Sequence, residues 1–221
     1  MKYLGTVIES GIFANLKKSE YIRAFEQLGI TVKTIRQGSA VYYEEDVVDK
    51  ICIIDKGSVC GEKTYADGEM HIIQLYEEEN IFGLEAAVSK QKTSPVDYVC
   101  NEDSVIVFIT ISSILKSDYC KHILDVLMQK LADDNIKKMH KIEMLAERSL
   151  RERILIYFTV LRTKAGEDTF DVKMDREQLA QYLCVNRSAL SNELNKMKKE
   201  GIIDFQKSKF RLLKTGGEPK E

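Results

Sequence analysis

The sequence predicts an α+β protein: an antiparallel β-roll, then one long helix, then a helix-turn-helix with a two-stranded wing. Three observations predict it. Short β-branched and aromatic runs closed by turn residues fill the stretch from Ile30 to Ile111. The 49 residues from Ser117 to Ala165 hold no Gly or Pro. Residues 175–201, DREQLAQYLCVNRSALSNELNKMKKEG, read as two short amphipathic helices around a tight turn.

The strands come first. Runs at 31–35, 41–43, 51–54, 59–65, 71–76, 96–100 and 105–111 are separated by Gln37-Gly38, Lys56-Gly57, Asp67-Gly68 and Asn101 to Asp103. Asp67-Gly68 signals a hairpin. A type I′ turn is expected there, because that turn needs positive φ at both central residues. Seven or eight such strands suit a small antiparallel barrel or roll.

In the helical stretch, Met128, Ala132, Asn135, Met139, Ile142, Ala146 and Ser149 alternate at spacings of four and three. That is an a/d seam, although Ala, Asn and Ser are weak core formers. A helix of about 30 residues is too long for a small roll to cover alone. A second copy would cover it, which implies a parallel homodimer with Asn135 setting the register. The other reading packs the helix within its own chain and turns Asn135 to water. A break follows at 164–168, and Thr215 to Glu221 is expected to be disordered.

Asp175 with Gln178 three residues on is a capping-box start. Leu179, Ala180 and Leu183 form a short apolar face, and the small Ala180 lets the two helices cross closely. After the turn Cys184-Val185-Asn186, Asn186 can cap a second helix whose inner face is Leu190, Leu194 and Met197. Gly201 ends it at C′. The strand-like residues 202–205 and 210–213 then flank Lys207 and Lys209 as a wing. Both lysines are expected to point at a phosphate backbone.

Charge supports a nucleic-acid partner. The chain holds 33 Lys+Arg and 35 Asp+Glu, a net of −2, which excludes a uniformly basic coating protein. The balance is polarised: residues 151–221 hold 15 basic and 11 acidic residues, and residues 1–150 hold 18 and 24. The positive end is the helix-turn-helix. Enzyme chemistry finds no support. There is no Gly-rich phosphate loop, and His71, His122 and His140 lie far apart in sequence. The five cysteines are odd in number and widely spaced, with no C-x-x-C, so neither a disulfide framework nor a zinc site is expected. No metal and no cofactor are expected. Glu9 interrupts the first apolar stretch, and no uncharged apolar run nears the roughly 18 residues of a membrane helix. A soluble, cytoplasmic protein without a membrane partner is expected.

The chain resembles the cyclic-AMP receptor / fumarate–nitrate regulator (Crp/Fnr) family of bacterial transcription factors over nearly its whole length. Four stretches in the family's order carry the resemblance: Gly38 with ICIIDKG at 51–57, NIFGLE at 80–85, SLRER at 149–153, and Gln178 to Gly201. The resemblance implies a cyclic-nucleotide-binding-like jelly roll at 1–116, a dimerisation helix at 117–148 and a winged helix-turn-helix at 149–221. It further implies a homodimer on a two-fold symmetric operator in double-stranded DNA, with RNA polymerase as a partner if the protein activates.

By position, Arg187, Ser188 and Asn192 would contact bases, and Arg176, Lys207 and Lys209 phosphates. Ser188 departs from the Glu common at its position. An effector pocket is expected at Phe82, Gly83, Leu84, Glu85, Thr93 and Ser94, with Asn135 and Met139 from the helix. Its lining, continued by Ala86, Ala87 and Val88, suits a small, largely apolar effector of unknown identity.

Two departures argue against a cyclic nucleotide. Gly83 is followed by Leu84, where nucleotide-binding members carry Glu. Ser94-Pro95 stands where they carry Arg-Ser, and a cyclic phosphate needs a cation there to offset its desolvation. Lys90 and Lys92 lie nearby but not at that place. The N-terminal cysteines of the iron–sulfur members are missing before Cys52, and His71 reads as a surface strand residue rather than a haem ligand. The rival reading is a sensor module of the same fold that has lost DNA binding. A DNA-retention assay dependent on Lys207 and Lys209 separates the two.

Overall fold

Residues 51–54, Ile-Cys-Ile-Ile, are apolar on both sides of a strand, so both faces of that strand need cover. The structure, a computed structural model describing residues 2–213, supplies it. The tail from Thr215 onward lies outside the described residues. Eight strands form the roll: β1 (Thr31–Ile35), β2 (Ala40–Tyr42), β3 (Lys50–Lys56), β4 (Val59–Thr64), β5 (Met70–Tyr76), β6 (Ile81–Phe82), β7 (Asp97–Cys100) and β8 (Ser104–Thr110). They make two antiparallel sheets, β1-β8-β3-β6 and β2-β7-β4-β5. The chain changes sheet at every connection except β4 to β5, which gives the expected jelly roll.

On β3, Cys52 and Ile54 face the aromatic interior with Tyr76, Phe82 and Tyr98. Ile51 and Ile53 face outward, under helices α1 (Leu4–Glu9), α2 (Tyr21–Gln27), α3 (Leu84–Val88) and α4 (Ile111–Lys116) and the first turns of α5 (Cys120–Ala146). The two N-terminal helices were not expected from local pattern, yet Val7, Ala24 and Leu28 are fully buried in that outer layer.

Several expectations need correction. The hairpin at Asp67-Gly68 forms, but only Gly68 takes positive φ, +85°. Gly68 N donates to the Tyr65 carbonyl at 2.9 Å and Tyr65 N to that of Glu69 at 2.8 Å. The turn is therefore Tyr65 to Gly68, with Ala66 and Asp67 central and glycine at the left-handed position that follows. The strand expected at 105–111 stops at Thr110, whose hydroxyl accepts from Ser113 N at 3.1 Å and starts α4 at Ile111. The long helix ends at Ala146. Ser149, the last seam position, lies outside it with extended backbone as the N-cap of α6 (Leu150–Ala165). The rest of the seam is exposed along α5, with Met128 and Met139 at 61% and Ile142 at 69%.

The chain divides into two compact units, Met1–Asn135 and Ile136–Glu221. In the second, β9 (Thr169–Asp171), β10 (Ile203–Gln206) and β11 (Lys209–Leu212) form a sheet in the order β10-β11-β9, so the expected two-stranded wing has a third strand. Phe158 of α6 is fully buried against Phe210 and Phe170, with ring centres 4.7 and 5.3 Å apart, and Phe205 lies 5.2 Å from Phe210. Beside it, α7 (Arg176–Tyr182) packs on α8 (Arg187–Lys199), and α8 packs on α6 and β10. Among the described residues no helix is long and apolar enough to cross a membrane.

Candidate nucleic-acid interface

The start of α7 is the expected capping box. Gln178 N donates to Asp175 Oδ1 at 2.9 Å, and Asp175 N donates to Gln178 Oε1 at 3.0 Å. In the turn, Val185 N donates to the carbonyl of buried Ala180 at 3.0 Å, and Cys184 takes φ +55°. Asn186 caps α8 by accepting from Ala189 N at 2.8 Å. At the other end Gly201 has φ +67°. Its N–H reaches the Lys198 carbonyl at 3.1 Å, and Ile202 N reaches that of Met197 at 3.0 Å, which is a Schellman closure. Leu190, Leu194 and Met197 are buried. Both ends and the inner face of α8 are thus determined, and its outer face follows.

That outer face exposes Arg187, Ser188 and Asn192, the three residues expected to read bases. Ser188 Oγ donates to Asn186 Oδ1 at 2.9 Å, so its hydroxyl also serves the cap. Sequence reasoning missed Asn195, Lys196 and Lys199. They are exposed on the same helix and line a shallow concavity with Asn192 and Lys198. Continuing the i+3/i+4 spacing from Asn192 would have found them. The acids of α8 and its cap are held away. Arg151 Nε pairs with Glu193 at 2.6 Å, and its Nη1 with Glu200 at 2.6 Å. Those carboxylates, Glu200 above all, hold the guanidinium charged, and Arg151 in turn pulls the Glu200 carboxyl down.

The wing presents Lys207 and Lys209 as exposed cations. Lys209 is the first residue of β11 rather than a turn residue, paired across the sheet with Gln206 and Asp171. Arg176 is placed differently. Its half-buried guanidinium lies 4.7 and 5.1 Å from the Phe210 and Phe205 ring centres, and Nη2 donates to the Lys207 carbonyl at 3.3 Å. Arg176 therefore ties α7 to the wing tip.

In the roll, the expected pocket residues are divided. Phe82 points into the interior, 5.0 Å from the Tyr98 ring. Leu84, Ala86 and Ala87 join the outer layer instead, and Val88 is 46% exposed. The apolar lining read along 82–88 is thus split by the left-handed turn at Gly83, φ +73°, which caps α3. Glu85 meets the interior by accepting from Tyr98 OH at 3.3 Å. Ser94 is buried, its hydroxyl donating to the Val96 carbonyl at 2.6 Å, and Thr93 bridges to Val47. Asn135 is exposed on α5 in the first unit and Met139 in the second.

A family model described as cyclic nucleotide-binding domain matches residues 32–116, and one described as Crp-like helix-turn-helix domain matches 152–216. The chain belongs to the Crp/Fnr family. Like other Crp/Fnr proteins it is a transcription regulator with a DNA-binding helix-turn-helix, not an enzyme. It is 18% identical over 208 residues to the global nitrogen regulator of Synechococcus elongatus, spanning 89% of this chain and 94% of that protein. Two solved Crp/Fnr structures share its fold. FixK2 from Bradyrhizobium japonicum matches with a TM-score of 0.71 at 17% identity, covering 85% of this chain and 94% of that one. A CooA mutant from Carboxydothermus hydrogenoformans matches with a TM-score of 0.74 at 16% identity, covering 91% and 89%.

Proposed function

We propose that this Crp/Fnr protein acts as a homodimer that binds a two-fold symmetric operator and responds to an effector other than a cyclic nucleotide. The observation that carries the dimer is the exposed stripe Met128, Met139 and Ile142 along a 27-residue helix. Apolar side chains at that spacing gain about 1.5–3 kcal/mol each when covered, and a second copy of the helix covers them in register. Arg187, Ser188 and Asn192 read base edges, and Lys207 and Lys209 hold phosphates from the wing. Arg176 positions the wing that carries those lysines.

The effector reading rests on the roll. Where a cyclic phosphate would need a cation, Ser94 is buried with its hydroxyl already used and Pro95 has no donor. Glu85 is engaged by Tyr98. A small, largely apolar effector held near Phe82 and Glu85 shifts the population of DNA-binding orientations by preferring one of them. An activator of this design would also contact RNA polymerase.

Selection of binding sites from random-sequence duplexes tests the central reading. The expected product is two inverted copies of one half-site, with centres a whole number of helical turns apart. Enrichment of a single unrepeated half-site would remove the dimeric reading. Thermal-shift screening addresses the effector, since a ligand of the native state raises the melting temperature. Stabilisation by micromolar cyclic AMP or cyclic GMP that Ser94→Ala abolishes would overturn the exclusion of nucleotides.

A further inference from the structure

The outer face of α8 continues past the residues at its start. Asn192 and Asn195 are both exposed, and among the described residues neither amide makes a hydrogen bond within the chain. We infer that Asn195 is a second base-reading amide, placed one base pair beyond Asn192, so that each half-site carries two adjacent adenines read in the major groove. The inference rests on α8 being the recognition helix, as proposed above.

Helix geometry supports it. A rise of about 1.5 Å per residue sets Asn195 about 4.5 Å along the axis from Asn192, and residues three apart share a face. Successive base pairs are stacked about 3.4 Å apart. Two amides at this spacing therefore address neighbouring pairs. A carboxamide offers one acceptor and one donor side by side. In the major groove, adenine presents the matching donor and acceptor on one base, N6 and N7, whereas guanine presents two acceptors.

The surroundings agree. Glu193 and Glu200 are both held by Arg151, so neither carboxylate repels the DNA backbone beside Asn195. Lys198, which also lines the concavity, is occupied by Asp204 at 2.7 Å and the Phe205 carbonyl at 2.9 Å. Lys196 and Lys199 stay exposed beside Asn195 as ammonium donors suited to phosphate. The second half of α8 thus sets an amide, Asn195, beside two exposed cations. For Asn195 to reach a base, α8 lies along the groove rather than entering by its first turn alone.

The test is selection from random duplexes with full-length wild type, Asn192→Ala, Asn195→Ala and Asn195→Arg. Wild type should enrich adenine at two neighbouring positions of the half-site. Each alanine variant should relax one of them by roughly tenfold or more, and Asn195→Arg should convert its position to guanine. Alanine at an exposed helical site favours the helix, so folding is retained, and circular dichroism verifies it. If wild type enriches a half-site and both Asn195 variants enrich the same one unchanged, Asn195 reads no base. If wild type enriches no sequence at all, the recognition-helix reading fails and takes this inference with it.

Discussion

Lys141, on the last turns of α5, holds its ammonium 3.7 Å from the centre of the Tyr182 ring. Burial pushes this lysine down to about 8, while the neighbouring Cys184 acts weakly the other way. The consequence for stability has a definite sign. Between pH 8 and the usual lysine value near 10.4, the unfolded chain keeps a proton that the folded one has released, so stability rises with pH across that window. Below pH 8 the cost of burying the charge is present in full, offset in part by the ring face. Lys141→Met should therefore stabilise the protein at pH 7 by about 1 kcal/mol and flatten the rise between pH 8 and 10. Urea midpoints measured across that range check it, and an unchanged slope would assign the rise to another group. Arg176 shows why single residues are hard to read from sequence. It is basic and near the wing, as a phosphate ligand would be, and two phenylalanines brought together by the sheet also hold its guanidinium, a contact no local pattern shows.

At the scale of elements, the turn between β3 and β4 is the least forgiving. Gly57 has φ +93°, and a Cβ there would run into Ser104 Oγ and lie 3.0 Å from the Asp103 carbonyl. Both the backbone angle and the contacts oppose a side chain, so Gly57→Ala should cost about 3 kcal/mol, read as a fall in the denaturant midpoint at constant m-value. Alanine at Gly68, also left-handed but with no atom within 4 Å of the added carbon, should cost about 1 kcal/mol. The wing supplies a contrasting case. Lys207 sits at φ +56° in the β10–β11 turn, a position that suits glycine better. Replacing Lys207 and Lys209 together by alanine should weaken binding to all sequences alike and reduce the salt slope by about two. A double variant with the wild-type slope would show that the wing does not touch the backbone.

For the whole molecule, the deciding quantity is what covers α5. Ile142→Glu places a carboxylate at the C-terminal end of the exposed stripe and should shift sedimentation from dimer to monomer at micromolar concentration. Affinity for an inverted-repeat operator should then drop to that for one half-site, a loss of at least a hundredfold, because the second half-site no longer binds intramolecularly. A variant that still sediments as a dimer would move the interface elsewhere.

Much of this architecture is legible along the chain, because it is encoded in local terms. The capping box at Asp175, the cap at Asn186 and the closure at Gly201 are interactions between residues within five positions of each other. The strand period and the Asp67-Gly68 signal are equally local, although the turn type depended on which residue of the loop accepted the left-handed angle. The seam along α5 repeats at helical spacing and needs no partner to be seen. By itself the sequence determined that a roll is followed by a long helix and a helix-turn-helix, and which face of α8 is outward. Tertiary structure decided the rest, since it depends on residues far apart in sequence. The N-terminal helices exist to cover Ile51 and Ile53. Gly83 turns the chain so that Phe82 and Leu84 enter different layers. Arg151 withdraws two carboxylates from the DNA-facing helix, and that neutralisation across 42 and 49 residues leaves Asn195 and its lysines as a reading face.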